Sequence, residues 1–404
     1  MIEKQITRYL ENLSSRQPLP LRVELWGGRR VEFGPAPEVT LRLNGARAAR
    51  HLLNASLAGL GEGFVEGEID VDGPIRSVIA IAEAISRDGD QSGGRGTLPK
   101  WLARHTRQSD RSAIEYHYDV SNEFYSLWLD PQMVYSCAYF RDGTEDLATA
   151  QSNKLDHICR KLMLAPGDHL LDIGCGWGAL AIHAARNYGA SVVGVTLSTN
   201  QYELARERVR AAGLQDRVEI RLQDYRDVPG EGSFDKVSSV GMFEHVGLKH
   251  LRGYFDTIAR LLKPGGITLN HGITSSDTES RSVGLGAGEF IDRYVFPDGE
   301  LPHVALAISE LSAAGLELTD AESLRRHYAR TLWFWSDGFE ANLARARELA
   351  GERRARIWRV YLAGCAHAFA HGWINIYQLQ AIKPRGDRDS AFSPLPLSRE
   401  YLYR

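Results

Sequence analysis

Chemistry shows first in the stretch Leu170-Leu-Asp-Ile-Gly-Cys-Gly-Trp-Gly178. Apolar residues end a strand, glycines turn, and Ala179-Leu-Ala-Ile opens a helix. Gly174, Gly176 and Gly178 permit a tight turn and close backbone approach to a ligand, and the helix start offers unpaired N–H groups. A glycine loop alone says little. Here Asp172 stands at the strand end, and a carboxylate beside the loop attracts a cation and repels phosphate. A dinucleotide site would also carry Asp or Glu about 20 residues further on, to hold a ribose. This chain has Gly194-Val-Thr-Leu-Ser198 there, so that work falls to the hydroxyl of Thr196 and the amide of Gln201. The pattern suits a zwitterionic sulfonium ligand, S-adenosylmethionine, better than a pyrophosphate.

The loop must be held by the elements around it, and from about residue 112 strands alternate with helices. Strands are predicted at 169–172, 191–195, 218–222, 234–240 and 267–270, with helices over 178–186, 199–212 and 248–262 between them. Lys263-Pro-Gly-Gly266 is a helix stop. Such alternation predicts an α/β fold, a doubly wound, mostly parallel sheet with helices on both faces. Trp358, Tyr361, Leu362, Cys365 and Phe369 recur at helical spacing and read as core.

Before it lies a smaller α+β unit, residues 1–90. Leu21 to Phe33 alternates around Gly27-Gly28 as a hairpin, Val39–Leu43 is a third strand, and a helix covers 46–57. Gly61-Glu-Gly63 reads as a turn, and a second helix starts after Pro74 and runs to about Ser86. The stretch 87–99 has a linker's composition, and Lys100, Arg104, Arg107 and Arg111 come next as a solvated face or a contact with an anionic membrane, so that the linker is set at 91–111. In 404 residues, 48 basic against 51 acidic side chains leave a net charge of −3, which argues against a nucleic-acid partner. The four cysteines form no CxxC pair, so no metal module is indicated. No basic-then-apolar leader opens the chain, and the most apolar window, Val78–Ile85, is too short to cross a bilayer.

Several further segments stand out: Tyr116-His-Tyr-Asp-Val-Ser-Asn-Glu-Phe-Tyr125, Met133-Val-Tyr-Ser-Cys-Ala-Tyr-Phe140, Ser239-Val-Gly-Met-Phe-Glu-His-Val-Gly247 and Phe290-Ile-Asp-Arg-Tyr-Val-Phe-Pro297. With the glycine loop and Gly194–Gln201 they resemble the cyclopropane fatty acid synthase family of S-adenosylmethionine-dependent transferases. The resemblance implies a class I methyltransferase fold and the addition of a methylene across a cis double bond of an acyl chain in a membrane phospholipid. It implies that the alkene takes the sulfonium methyl, that a bound bicarbonate removes a proton from it, and that the ring closes. Carried over residue by residue, Cys137, Glu244, His271 and Tyr328 match the bicarbonate-holding positions, with backbone near Ile273 adding a contact. His and Tyr can donate to an anion, Cys has a weak S–H, and Glu244 can accept the bicarbonate hydroxyl proton. Tyr135 and Ser136 match positions near the methionine end, Gly174 and Gly176 the loop, Thr196 and Gln201 the ribose contacts, and Asp224 and Tyr225 the adenine contacts.

Phe290, Tyr294, Trp333 and Trp335 are candidates for an acyl tunnel offering π faces to a cation. The resemblance further implies a homodimer and a cytoplasmic enzyme peripherally bound to the inner face of the membrane. Relatives that leave a methyl branch or an exocyclic methylene are the alternative reading. One departure stands in Asn270-His-Gly-Ile-Thr274, where Gly272 is expected to loosen a backbone that must hold an anion. The glycine-rich run 280–288 reads as a flap over the lipid entrance.

Overall fold

The computed structural model describes residues 2–54, 56–90, 120–280, 287–296, 299–386 and 394–403. The expected linker, the basic run at 100–111, the first four residues of the Tyr116–Tyr125 motif and most of the expected flap lie outside them.

The first unit opens with α1 (Ile2–Arg16), then β1 (Leu21–Glu24), β2 (Arg30–Glu32) and β3 (Val39–Leu43). Helices α2 (Ala48–Asn54) and α3 (Leu57–Val65), strand β4 (Ile69–Asp72) and helix α4 (Ile75–Asp90) complete it. Its sheet has the order β2-β1-β3-β4, with β1 antiparallel to β2 and parallel to β3. The expected single helix over 46–57 is two, because Ser56 caps a new helix by accepting from Gly59 N–H. The Gly61–Gly63 turn is not a turn; it lies inside α3. These glycines serve packing: a Cβ on Gly61 would stand 2.8 Å from the Phe290 ring, and one on Gly63 2.8 Å from Ile69.

The larger unit contains α5 (Asn122–Ser126), α6 (Leu147–Lys161), β5 (His169–Ile173), α7 (Ala179–Tyr188), β6 (Ser191–Thr196), α8 (Thr199–Ala211) and β7 (Val218–Leu222). It continues with β8 (Phe234–Val240), α9 (Leu251–Leu261), β9 (Leu262–Ser275), α10 (Ala287–Tyr294), α11 (Val304–Ala313) and β10 (Glu317–Ser323). Last come α12 (Arg325–Ala341), α13 (Leu343–Ala350), α14 (Glu352–Ala370) and β11 (Ile374–Ile382). The sheet order is β10-β11-β9-β8-β5-β6-β7. Five neighbouring strands are parallel, and β11 and β10 add an antiparallel edge. This is the doubly wound, mostly parallel sheet of the class I methyltransferase type.

One boundary matters to the site. His271 is expected just after a strand ending at Asn270, but β9 continues to Ser275 because β11 pairs with it along its whole second half. His271 therefore sits inside β9, opposite Gln378 on β11 and Val240, the last residue of β8. Where β8 ends, a crevice opens at the carboxyl ends of the parallel strands, the position in which open α/β sheets bind ligands.

Candidate active site

A cavity of about 310 Å³ lies over the carboxyl ends of β5, β6 and β8. Tyr135, Ser136, Asp172, Gly174, Gly176, Thr196, Gln201, Asp224 and Tyr225 all line it. The loop after β5 has Gly174 at φ 76° and Gly176 at φ 54°, backbone that a side chain rarely adopts. A Cβ on Gly176 would meet nothing within 4 Å, so its backbone faces open space.

The floor of the cavity is charged. Burial pushes the Asp172 carboxyl up to about 6, against Ser238, whose hydroxyl donates to it at 2.9 Å, and against nearby Lys154. Lys154 on α6 is fully enclosed and donates from Nζ to Ser136 Oγ at 2.8 Å; burial pulls it down to about 8. Thr196 Oγ1 donates to Gln201 Oε1 at 2.9 Å, which aligns the two groups and leaves the Gln201 amide N–H free of that contact. Asp224 is gripped by the Arg226 guanidinium at 2.7 Å, so its carboxylate is engaged by its own neighbour rather than turned wholly to the cavity. The Asp172 carboxylate and the open glycine backbone fit a sulfonium-bearing zwitterion.

The second set of expected residues, Cys137, Glu244, His271, Ile273 and Tyr328, does not line this cavity; it gathers behind it, around β9. Glu244, in the short helical turn after β8, accepts the Ile273 N–H on Oε1 at 2.7 Å, while its Oε2 is buried with no hydrogen-bond partner among the described residues. That hydrogen bond occupies the Ile273 N–H that was expected to contact an anion. His271 accepts on Nδ1 from the Gln378 side-chain amide at 3.1 Å, so its proton is on Nε2, which is buried with no partner. Burial and the nearby lysines Lys154 and Lys161 hold His271 well below the ordinary histidine range, and the ring is neutral.

The rest of the set joins through backbone. Leu324 N–H donates to Ile376 O, and Ile376 pairs with Ile273 across β11 and β9. The Leu324 carbonyl in turn receives the Tyr328 N–H at 2.9 Å and the Cys137 thiol at 3.8 Å. Burial pushes that thiol far above its usual value, so Cys137 stays protonated. The Tyr328 ring packs on Phe369 at 4.6 Å and on Trp335.

Gly272 is not a loosening element. A Cβ there would lie 2.0 Å from the Phe243 ring, so glycine is what lets Phe243 seat against β9 and brings Glu244 to Ile273.

Between the two sets stands an aromatic wall. Tyr135 packs tilted against Trp335 at 5.2 Å and edge-on against Trp128 at 5.3 Å, and its hydroxyl is 3.2 Å from that of Tyr361. Trp358 and Tyr361, read as core, are buried in that core and also form part of this wall. Of the tunnel candidates, Phe290 and Tyr294 join the same cluster. Trp333 instead carries the Arg76 guanidinium 4.0 Å above its ring. Sequence reasoning missed Lys154 and Gln378. Lys154 could have been found as a lysine on the apolar stripe Leu147, Ala150, Leu155, Ile158 of α6; Gln378 carried no local signal.

The fold and cavity together define a class I S-adenosylmethionine-dependent methyltransferase. The family described as mycolic acid cyclopropane synthetase matches residues 105–379, and the chain belongs to it. Residues 8–88 match a family described only as a domain of unknown function. A "Probable fatty acid methyltransferase" from Pseudomonas putida is 49% identical over 390 residues, 96% of this chain and 97% of that one. The cyclopropane-fatty-acyl-phospholipid synthase of Escherichia coli K12 is 38% identical, covering 86% of this chain and 88% of the relative. The solved cyclopropane synthase MmaA2 from Mycobacterium tuberculosis superposes with a TM-score of 0.65 at 32% identity, over 70% of this chain and all of that one. The mycolic acid cyclopropane synthase CmaA1, solved with SAH and CTAB, gives 0.64 at 35% identity, over 68% of this chain and 98% of that one. The protein is an S-adenosylmethionine-dependent enzyme that modifies lipid acyl chains.

Proposed function

We propose that the protein transfers a methylene from S-adenosylmethionine to the cis double bond of an unsaturated acyl chain in a membrane phospholipid, closing a cyclopropane ring with bicarbonate as the base. The observation that carries this reading is the pair of buried, partnerless polar atoms beside β9, Glu244 Oε2 and His271 Nε2. One is an acceptor and the other a donor, which is what a hydrogen-bonded bicarbonate needs. Bound S-adenosylmethionine supplies the electrophilic methyl, and bound bicarbonate supplies the proton acceptor.

The chain's own residues do the rest. Asp172 and the glycine loop hold the zwitterion, with Tyr135, Ser136, Thr196, Gln201, Asp224 and Tyr225 around it. His271 presents its Nε2–H to the anion, and Glu244, steadied by Ile273, takes the anion's hydroxyl and raises its basicity. Tyr328 and the protonated Cys137 complete the polar shell. The rings of Tyr135, Trp335 and Trp358 face charge developing on the acyl chain and keep water from it.

A second reading, methyl branching, is favoured by the name of the 49% identical relative and by a tuberculostearic acid methyltransferase from Mycobacterium tuberculosis at 36% identity over 83% of this chain. The intact donor–acceptor pair supports the ring. The phospholipid substrate and peripheral membrane contact are supported by the 38% identical phospholipid synthase, and no helix among the described residues is long and apolar enough to cross a membrane. The proposal divides the chain into a lipid-associating or dimer-supporting unit at 1–90, a linker at 91–111 and a catalytic unit at 112–404, assembled as a homodimer.

Labelled turnover tests it: vesicles of monounsaturated phospholipid, S-adenosylmethionine with a trideuterated methyl, and buffer with or without bicarbonate. A saturated ring carrying two deuteriums, formed only with bicarbonate, is the expected product. Two deuteriums in an alkene that takes up hydrogen mean an exocyclic methylene, and three mean a methyl with the proton lost from the chain; either result replaces the ring reading.

A further inference from the structure

Helices α4 and α14, one from each unit, meet far from the cavity, and three metal-competent side chains meet there too. Glu83 on α4 and His367 on α14 are buried, and His371 lies just past the end of α14, exposed. One ligand atom from each lies within 4.8 Å of the other two. His367 Nε2 is 2.5 Å from Glu83 Oε2, and the two imidazoles stack with centroids 3.9 Å apart.

We infer that Glu83, His367 and His371 form a site for a divalent transition cation of the zinc class, joining the two units. The donor set is two imidazoles and a carboxylate, with histidines one helical turn apart, which is chemistry zinc accepts, leaving a fourth position for water on the exposed side. The second ring is already oriented: His371 Nδ1 donates to the His367 carbonyl at 2.9 Å, which leaves its Nε2 lone pair for a metal. Arg87 binds Glu83 through Oε1 at 2.6 Å, while Oε2 faces His367 Nε2, and a cation would take the place of the proton that these two atoms share.

With about 2.0–2.2 Å to each ligand in a tetrahedron, zinc needs Nε2 and Oε2 to part by roughly 1 Å, which side-chain rotation at the last turn of α14 can supply.

The test uses the untagged full chain, stripped with a chelator and titrated with zinc chloride in a calorimeter, with metal content read by mass spectrometry and the melting temperature followed. One zinc per chain with a dissociation constant below about 10 µM is expected, raising the melting temperature by a few degrees. His371→Ala, a change at an exposed side chain, and Glu83→Gln should each weaken binding about tenfold or more, as loss of a ligand does. Cobalt in place of zinc should give an intense visible band in the wild type that His371→Ala lacks. Absence of stoichiometric zinc, or wild-type affinity in either variant, overturns the site.

Discussion

Burial pushes the Glu244 carboxyl up to about 7, against the hydrogen bonds from the Ile273 and Glu244 backbones that favour its charged form. If the carboxylate must accept a hydroxyl from the anion, kcat/KM measured at fixed bicarbonate concentration rises with pH through a midpoint near 7. Glu244→Gln should lose about 10²-fold or more and flatten that limb. Stability runs the other way. A carboxyl raised from 4.5 to about 7 contributes stability fully below 4.5 and loses it as pH rises through 7, on the order of 3 kcal/mol. Glu244→Gln is therefore expected to melt a few degrees higher than wild type at pH 8 and to show little difference at pH 5, read by calorimetry at both pH values. Gln378 acts one step back, fixing the His271 tautomer. Gln378→Leu should lower kcat about 10- to 100-fold and weaken the response to bicarbonate while leaving S-adenosylhomocysteine affinity unchanged; a parallel loss of that affinity would make Gln378 merely structural. Glu244 and His271 were legible because each sits in a distinctive motif. Gln378 was not, because its meaning comes from a strand pairing between residues 107 positions apart.

At the scale of elements, hydrophobic pattern exposed the parallel strands and hid the antiparallel edge. Strands β5 to β8 are short apolar runs bounded by glycine and helix caps, and each lies within a residue of its expected span. Strand β11 is buried on both faces over its second half, where Gln378 and Gln380 go inside, so the alternation of Ile374–Ile382 slips phase at Tyr377-Gln378 and no single apolar face marks the strand. Without it the extension of β9 was invisible, and His271 was assigned to a strand end. Glycine misled in the same way. Gly61 and Gly272 look like breaks, yet each lies within a regular element and makes room for an aromatic ring, Phe290 and Phe243. Gly272→Ala forces its Cβ into Phe243 and must shift the turn that carries Glu244. The expected cost is about 1–3 kcal/mol in stability by denaturant unfolding. Product formation should fall further than cofactor affinity, since the S-adenosylmethionine cavity lies on the other side of the aromatic wall. Equal loss of both would mean that the β9 contact holds the whole sheet rather than the site.

The whole molecule is joined at a seam of arginines that no sequence pattern announces, because each partner lies more than 200 positions away. Arg356 on α14 donates to the Phe64 carbonyl at 2.9 Å and to Asp70 at 2.6 Å, and its guanidinium lies over the Phe64 ring at 5.0 Å. Arg353 reaches Glu66 at 2.8 Å, but both side chains are largely in water, 55% and 41% exposed. Arg76 and Asp337, 49% and 59% exposed, repeat that surface geometry. Exposed pairs are worth little, whereas a shielded guanidinium that also satisfies a backbone carbonyl leaves real deficits when removed. The Arg356 side chain is 18% exposed, so Arg356→Ala should cost about 1–3 kcal/mol and Arg353→Ala less than about 0.5 kcal/mol. The same reasoning fixes the form of the loss. Arg356 touches the four-stranded sheet only at β4, through Asp70 and the Ile69 carbonyl, and is no part of its apolar core, so its removal weakens the coupling between units more than either core. Scanning calorimetry of Arg356→Ala is then expected to separate a lower transition for the four-stranded unit from the main one, with wild type and Arg353→Ala melting together. A single transition shifted down in Arg356→Ala would mean instead that the remaining contacts between the units, Glu83 with His367, Glu62 with Arg293 and Phe290 against Gly61 among them, suffice to hold them as one cooperative body.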